Sequence, residues 1–152
     1  MINFRAIFNR YKKAVISFEG NPEFIAKGFA LGSFVGMLPI PGFHILSSMG
    51  LAFLMKLNKK SVFLGVIKTN LFTAGFIFAF NFWLGKKILG VSPDFTMPEK
   101  IDFGFFSTVF RSGFEVFECL LAGGILMGIV SAIVNYYVVL IWIKNYRSYG
   151  VN

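Results

Sequence analysis

Residues 36–44, Gly36-Met37-Leu38-Pro39-Ile40-Pro41-Gly42-Phe43-His44, interrupt an apolar run that extends from Phe24 to Leu57 with Lys27 near its start. Proline removes an amide donor and its ring clashes with the preceding turn, so one straight helix cannot pass through this point undisturbed. At 1.5 Å per residue, helices over 25–38 and 43–55 reach roughly 21 Å and roughly 20 Å. Each falls short of the ~30 Å hydrocarbon core of a bilayer. The stretch therefore predicts the tip of a bent or re-entrant helical hairpin.

Composition points to the same solvent. The chain has 152 residues, room for one domain, of which 56% are hydrophobic and 14% charged, with 21 phenylalanines. Its mean hydropathy is +0.70. Soluble domains carry about 25% charged residues, and one this small could not hide so much apolar surface. The single Cys119 forms no intrachain disulfide and completes no cysteine-rich metal site. No short apolar core followed by a small-residue cleavage site opens the chain, so no secretory signal is expected. The net charge of +8 does not imply nucleic acid, because the basic residues fall at the ends of apolar segments. There they act as topology signals and contacts to anionic lipid headgroups.

Working outward from the tip, residues 3–18 carry Phe4, Ile7, Phe8, Tyr11, Val15 and Phe18 on one helical stripe, with Arg5, Arg10, Lys12 and Lys13 mostly off it. This predicts an amphipathic basic helix over 1–20, lying in the interface of an anionic leaflet. Asn21-Pro22-Glu23 reads as a helix start: N-cap, proline at N1, acid in the first turn. The basic clusters Arg5–Lys13 and Lys56, Lys59 and Lys60 flank the apolar run, and both prefer the cytoplasmic side. A hairpin turning at Pro39–Gly42 satisfies both, whereas a merely kinked span leaves one on the wrong face.

Residues 61–85 are long enough to cross once, with Lys68, Asn70 and Thr73 near the middle. A single crossing is favoured by the lack of proline, but it leaves Lys86 and Lys87 outside. A second bend at Thr69–Asn70, with a hairpin at Gly123-Gly124, would keep every basic cluster inside. An acidic loop follows over 91–102, where Asp94, Glu99 and Asp102 outweigh Lys100. The C-terminal membrane region, 103–147, carries Arg111, Glu115 and Glu118 among phenylalanines, then the clearest spanning helix over 120–143, closed by Lys144 and Arg147. Together these features predict an all-α integral membrane protein with transmembrane helices.

The motifs over 20–90 resemble the DUF2062 family of small bacterial membrane proteins. The matching residues are Pro22, Ile25, Ala26, Gly28, Phe29, Ala30, Gly32, Gly36, Pro39, Gly42, His44 and Asn58, then Gly65, Asn70 and Thr73. Ile67 and Leu71 stand where the family commonly has a tryptophan and an Asn-Pro. The resemblance implies a bacterial membrane protein with a membrane domain over 21–90. Because some members are joined to glycosyltransferase-like domains, it also hints at envelope or lipid-linked sugar pathways.

Several residues invite chemistry. Past Pro39, Pro41 and Gly42, residues Phe43 and His44 begin a half-helix whose free amides and positive dipole end could receive an anion. His44 could titrate or hold a phosphate or carboxylate; equally, it could bond a neighbouring carbonyl at a helix start. Lys68 is costly within lipid unless paired; Glu115 and Glu118 are its candidate partners, and Arg111–Glu115 is itself an i, i+4 pair. Asn70 and Thr73 read as interhelical hydrogen-bonding groups or path-lining groups. Lys27 snorkels to the interface. Gly28, Gly32 and Gly36 form a small-residue face for close packing, within the chain or between subunits. One histidine and scattered carboxylates make no metal set, no nucleophile–base order is legible, and no phosphate-cradling loop occurs. The expectation is a non-enzyme without cofactor, in the bacterial inner membrane, multi-pass with its N-terminus cytoplasmic. It is expected to be homo-oligomeric and to bind an anionic solute or headgroup at the broken helix. The alternative is an anchor or scaffold for an envelope enzyme.

Overall fold

A computed structural model of the chain describes residue 9 and residues 13–15, 17–40, 42–67, 71–91 and 113–149. Among these residues all regular structure is helical: α1 (Pro22–Val35), α2 (His44–Leu54), α3 (Lys59–Ile67), α4 (Leu71–Leu89) and α5 (Phe114–Tyr149). Of these, α5 is long and apolar enough to cross a membrane. It runs unbroken through Gly123 and Gly124, so the hairpin entertained at that glycine pair does not form. Helical propensity and the absence of proline carry the backbone straight past it.

The start of α1 follows its local chemistry. Asn21 is extended and its Oδ1 accepts from the Glu23 amide at 2.9 Å, with Pro22 in the first turn. That satisfies one orphan amide while proline removes another. The helix ends at Val35 as its hydrogen bonds tighten: Gly36 N–H still reaches Gly32, but Met37 and Leu38 donate to Phe34 and Val35. Ile40-Pro41-Gly42-Phe43 has the sequence of a type II turn. Its described members fit, because Gly42 has φ +83 and Phe43 N–H donates to the Ile40 carbonyl at 3.1 Å. Only glycine takes that backbone without strain.

Helix directions follow from close approaches. A methyl added at Gly28 would meet the Asn58 carbonyl oxygen at 2.9 Å, and one at Gly32 or Gly65 would overlap the facing backbone. Ser61 Oγ donates to the Ile25 carbonyl at 2.5 Å. Residue numbers rise together along this contact, so α1 and α3 are parallel. The chain that leaves Ile25 is therefore back beside it by Ser61, after doubling back through α2. Helix α5 is antiparallel to α1, with Arg147 at Gly20, Gly128 at Phe34 and Gly124 at Met37. It is also antiparallel to α4, where methyls at Gly85 and Gly123 would overlap the backbones of Cys119 and Asn81. Small residues are what allow helices to close this far.

Gly28 and Gly32 thus pack within the chain, against α3, while Gly36 is buried at the end of α1. Two apolar clusters form. One joins Val15, Ile25, Ala26 and Phe29 to Val139 and Ile143; the other joins Phe78 and Phe82 to Val116, Cys119 and Leu120. The hairpin tip lies between them. The apolar stripe expected over 3–18 falls mostly outside the described residues, yet Val15 is fully buried on α5. Of the segment 61–85, residues 68–70 are outside them as well.

Candidate functional site

The tip is built from the chain between α1 and α2, closed by α4 and α5. Non-helical backbone leaves carbonyls without intrahelical partners, and at this tip they are met by side chains and a turn. His44 Nε2 lies 2.8 Å from the Leu38 carbonyl oxygen. A carbonyl only accepts, so Nε2 carries the proton and donates. The ring also stacks with Phe78 of α4, centroids 6.4 Å apart and planes 16° apart. Asn81 of α4 donates from Nδ2 to the Met37 carbonyl at 2.9 Å. The Ile40 carbonyl takes the Phe43 amide. Of the two roles open to His44 in the sequence, the carbonyl bond is the one realised.

The donors at the same place are treated differently. Phe43 is the N-cap of α2 and supplies no side-chain hydrogen bond to its first turn. The first amides of a helix have no partner within it, and their dipoles add to a positive end. Phe43 and Leu46, 58% and 69% exposed, flank this first turn, and Gly42 before it is exposed too. The carbonyls of Met37, Leu38 and Ile40 are therefore occupied, while Phe43 leaves the first turn of α2 without a side-chain cap.

Two buried polar atoms near the tip have no partner among the described residues: Asn81 Oδ1 and Ser33 Oγ. Gly124 stands beside the Asn81 carboxamide, its place for a methyl lying 2.9 Å from the Met37 oxygen and 3.4 Å from both Asn81 Nδ2 and Pro39 Cδ. Pro39 is buried. Asn81 was not among the residues the sequence singled out, and Gly124 was named there only for a hairpin with Gly123. The available signal was a lone carboxamide inside Phe78–Trp83, an apolar stretch in which a polar group needs a partner.

Other expected site residues are dispersed. Thr73 is exposed near the start of α4, and Glu115 and Glu118 are exposed on the first turns of α5. Glu118 lies one residue before the Gly85–Cys119 crossing, at the same end as Lys86 and Lys87, whose ammonium groups sit over Phe82 and Trp83 at 5.7 and 4.2 Å. Pro41, Lys68, Asn70 and Arg111 lie outside the described residues. At the opposite end, Arg147 donates to the carbonyls of Gly20 at 2.7 Å and Phe18 at 3.0 Å, tying the N-terminal segment to the end of α5.

A family model described as an uncharacterized protein conserved in bacteria, DUF2062, matches residues 5–150. The chain belongs to that family. No curated protein and no solved structure matches it.

Proposed function

We propose that this DUF2062 protein is a multi-pass inner-membrane protein that binds, and as a homo-oligomer moves, an anionic solute or lipid headgroup at the hairpin tip. The observation that carries the reading is the imbalance just described. The carbonyls of Met37, Leu38 and Ile40 are covered by Asn81, His44 and Phe43, whereas the first turn of α2 has no side-chain cap.

Depth supports it. Lys27 stands level with the start of α3, because Gly28 faces Asn58 and Ser61. From there to Met37 is roughly 15 Å along α1 and the tightened turn that ends it. Gly124, which faces Met37, is roughly 9 Å along α5 from Glu118. The two charged levels are thus roughly 24 Å apart, close to the ~30 Å hydrocarbon thickness, and the tip falls between them. Large apolar side chains are exposed in that interval, Ile125, Ile129 and Ile133 on α5 and Leu46 and Phe53 on α2 among them. Non-helical backbone at such depth requires burial or a water-filled cavity, which α4 and α5 help to provide. Lys13, Lys27, Lys59, Lys60, Lys144 and Arg147 gather at one end, which by the positive-inside bias is cytoplasmic.

Reconstitution tests the reading. Proteoliposomes are assayed for saturable uptake or binding of labelled inorganic phosphate and of a short-chain phosphatidylglycerol. The His44→Ala and Lys68→Ala double variant is expected to lose the signal while remaining inserted. Wild-type binding and flux in that variant would transfer the conclusion to an anchor or scaffold for an envelope enzyme, with the charges merely paired. Cysteines placed singly at Ile40 and Lys59 after replacement of Cys119 are expected to give Lys59 labelling from the inside; labelling of Lys59 from outside only would end the hairpin's membrane reading.

A further inference from the structure

At the basic end of the molecule a cavity of about 520 Å³ opens between the segment preceding α1 and the α2–α3 connection. It is remote from the tip, and the inference drawn from it does not depend on the reading given for the tip. Its walls are chemically sorted. On one side stand Asn58, Lys59 and Lys60. Asn58 Oδ1 already accepts from the Ser61 amide at 3.1 Å, so the group it offers a ligand is its NH2. Lys59 and Lys60 offer only donors, and no acid accompanies them in the first turn of α3. Lys59 Nζ rests over the Phe53 ring at 5.2 Å, a contact with the ring face that leaves ammonium hydrogens for another partner.

The facing wall carries acceptors. Ser17 Oγ spends its hydrogen on the Ala14 carbonyl at 2.9 Å, leaving lone pairs, and Glu19 supplies a carboxylate. Phe18, Phe24 and Leu57 make the remainder apolar. A simple anion would use the lysine wall and be repelled by Glu19. A ligand with a phosphate at one end and a hydrogen-bond donor a few atoms away uses both walls, and an attached hydrocarbon chain would lie along the phenylalanines. The cavity also lies at the end where Arg147 ties the N-terminal segment down, which in the membrane orientation proposed above is level with the headgroups of the cytoplasmic leaflet.

We propose that this cavity binds a phosphodiester headgroup bearing its own hydrogen-bond donors, an ethanolamine or glycerol headgroup, with phosphate on Lys59, Lys60 and Asn58 and the donor on Ser17 and Glu19. The same chemistry could reach it as a membrane lipid or as a soluble phosphate ester, and the test separates these sources.

The full-length protein in mild detergent is titrated with phosphatidylethanolamine, phosphatidylglycerol and phosphatidylcholine, and bound lipid is counted by native mass spectrometry. One molecule of the first two is expected to be retained about tenfold more strongly than phosphatidylcholine, whose choline has no donor, as befits one charge-assisted hydrogen bond. Lys59→Gln with Lys60→Gln should abolish retention of both, and Glu19→Gln should narrow the preference for ethanolamine over choline. Both lysines are exposed, and unchanged helix content and elution volume verify that the variants fold. Full competition by soluble glycerophosphoethanolamine or glycerophosphoglycerol, with Phe24→Ser binding as wild type, would assign the site to the soluble ester. Weak competition and a loss in Phe24→Ser would assign it to the lipid. Equal retention of phosphatidylcholine, or wild-type binding in the lysine variant, would overturn the proposal. Loss of binding in a folded His44→Ala protein would relocate the lipid to the tip and overturn it too, whereas intact binding there, even with the tip's own ligand lost, separates the two sites.

Discussion

Replacing Asn81 by alanine should loosen the tip. The side chain is fully buried and crosses from α4 to donate to the Met37 carbonyl at 2.9 Å. Without it a part-buried acceptor loses its partner, at a cost of up to about 1–3 kcal/mol. Two effects pull that figure down. Interhelical hydrogen bonds in membrane proteins average only about 0.6 kcal/mol by mutant cycles. In addition, Asn81 Oδ1 is buried with no partner among the described residues, and that standing penalty leaves with the side chain. The space vacated adds a loss of packing. The expected net destabilisation is about 1–2 kcal/mol, or roughly 3–6 °C in Tm for a chain of this size. Thermal unfolding of the detergent-purified protein, followed by circular dichroism, reads it.

Asn135→Ala is the matched control. That carboxamide donates to the Ser131 carbonyl at 2.6 Å and to Ser131 Oγ at 3.2 Å, all within α5, whose backbone bonds persist without it. Its loss should cost about 0.5 kcal/mol, the low end for a hydrogen bond, because both bonds lie within one helix. If the two variants melt together, or Asn81→Ala melts like the wild type, the Met37 carbonyl does not depend on Asn81 and the account of the tip is wrong.

Other substitutions probe neighbouring steps. His44→Ala removes both the Leu38 bond and the Phe78 stacking and should cost about 1–2 kcal/mol; His44→Gln, which restores a donor but no ring, should recover part of the lost Tm. Gly123→Ala forces a methyl onto the Asn81 backbone and should destabilise by about 1–3 kcal/mol, whereas Gly50→Ala, in mid-α2 with nothing within 4 Å, should raise stability by about 0.5–1 kcal/mol. Lys56 has φ +51, and the Leu57 and Lys56 amides donate back to Ala52 and Phe53, a helix ending that favours glycine; Lys56→Gly should therefore raise Tm, by about 1 kcal/mol of relieved strain.

What the sequence made legible was whatever is decided within a few residues. Asn21-Pro22-Glu23 announces a cap, and the cap forms, because one side chain, one amide and one fixed φ settle it locally. Ile40-Pro41-Gly42-Phe43 announces a reversal for the same reason. Gly28 and Gly32 announce close packing, but not that α3 would be the surface they meet, with Asn58 and Ser61 at Gly28 and Gly65 at Gly32, since spacing along one helix carries no address for another. Asn81 went unread because its partner is 44 residues away and is a backbone oxygen, which has no sequence signature. Arg147 reads as a topology charge, yet its guanidinium holds the carbonyls of Phe18 and Gly20. A planar donor fork can do this; a generic positive charge need not. His44 was legible as important but not as to role, because an imidazole beside a helix start serves a carbonyl or an anion equally well until the geometry is fixed.

These contacts form a causal chain that can itself be tested. A bare carbonyl in hydrocarbon costs several kcal/mol, so the membrane depth proposed above for the tip requires that Met37 and Leu38 be covered. Leu38 is covered from within the hairpin, by His44 and by the Ile40 amide. Met37 is covered from α4, and Asn81 reaches it because Gly123 and Gly85 let α4 lie directly on α5. Glycine on the far helix thus sets the condition for a hydrogen bond at the tip. If so, Gly123→Ala and Asn81→Ala damage the same contact. Once the methyl has pushed α4 away, removing the carboxamide should cost little more. The double variant should fall short of the summed losses by about 0.5–1 kcal/mol, within the range of coupling between touching residues. Strict additivity would mean that Asn81 still reaches Met37 with the helices apart, and that the crossing of α4 and α5 and the closing of the tip are independent features of the fold.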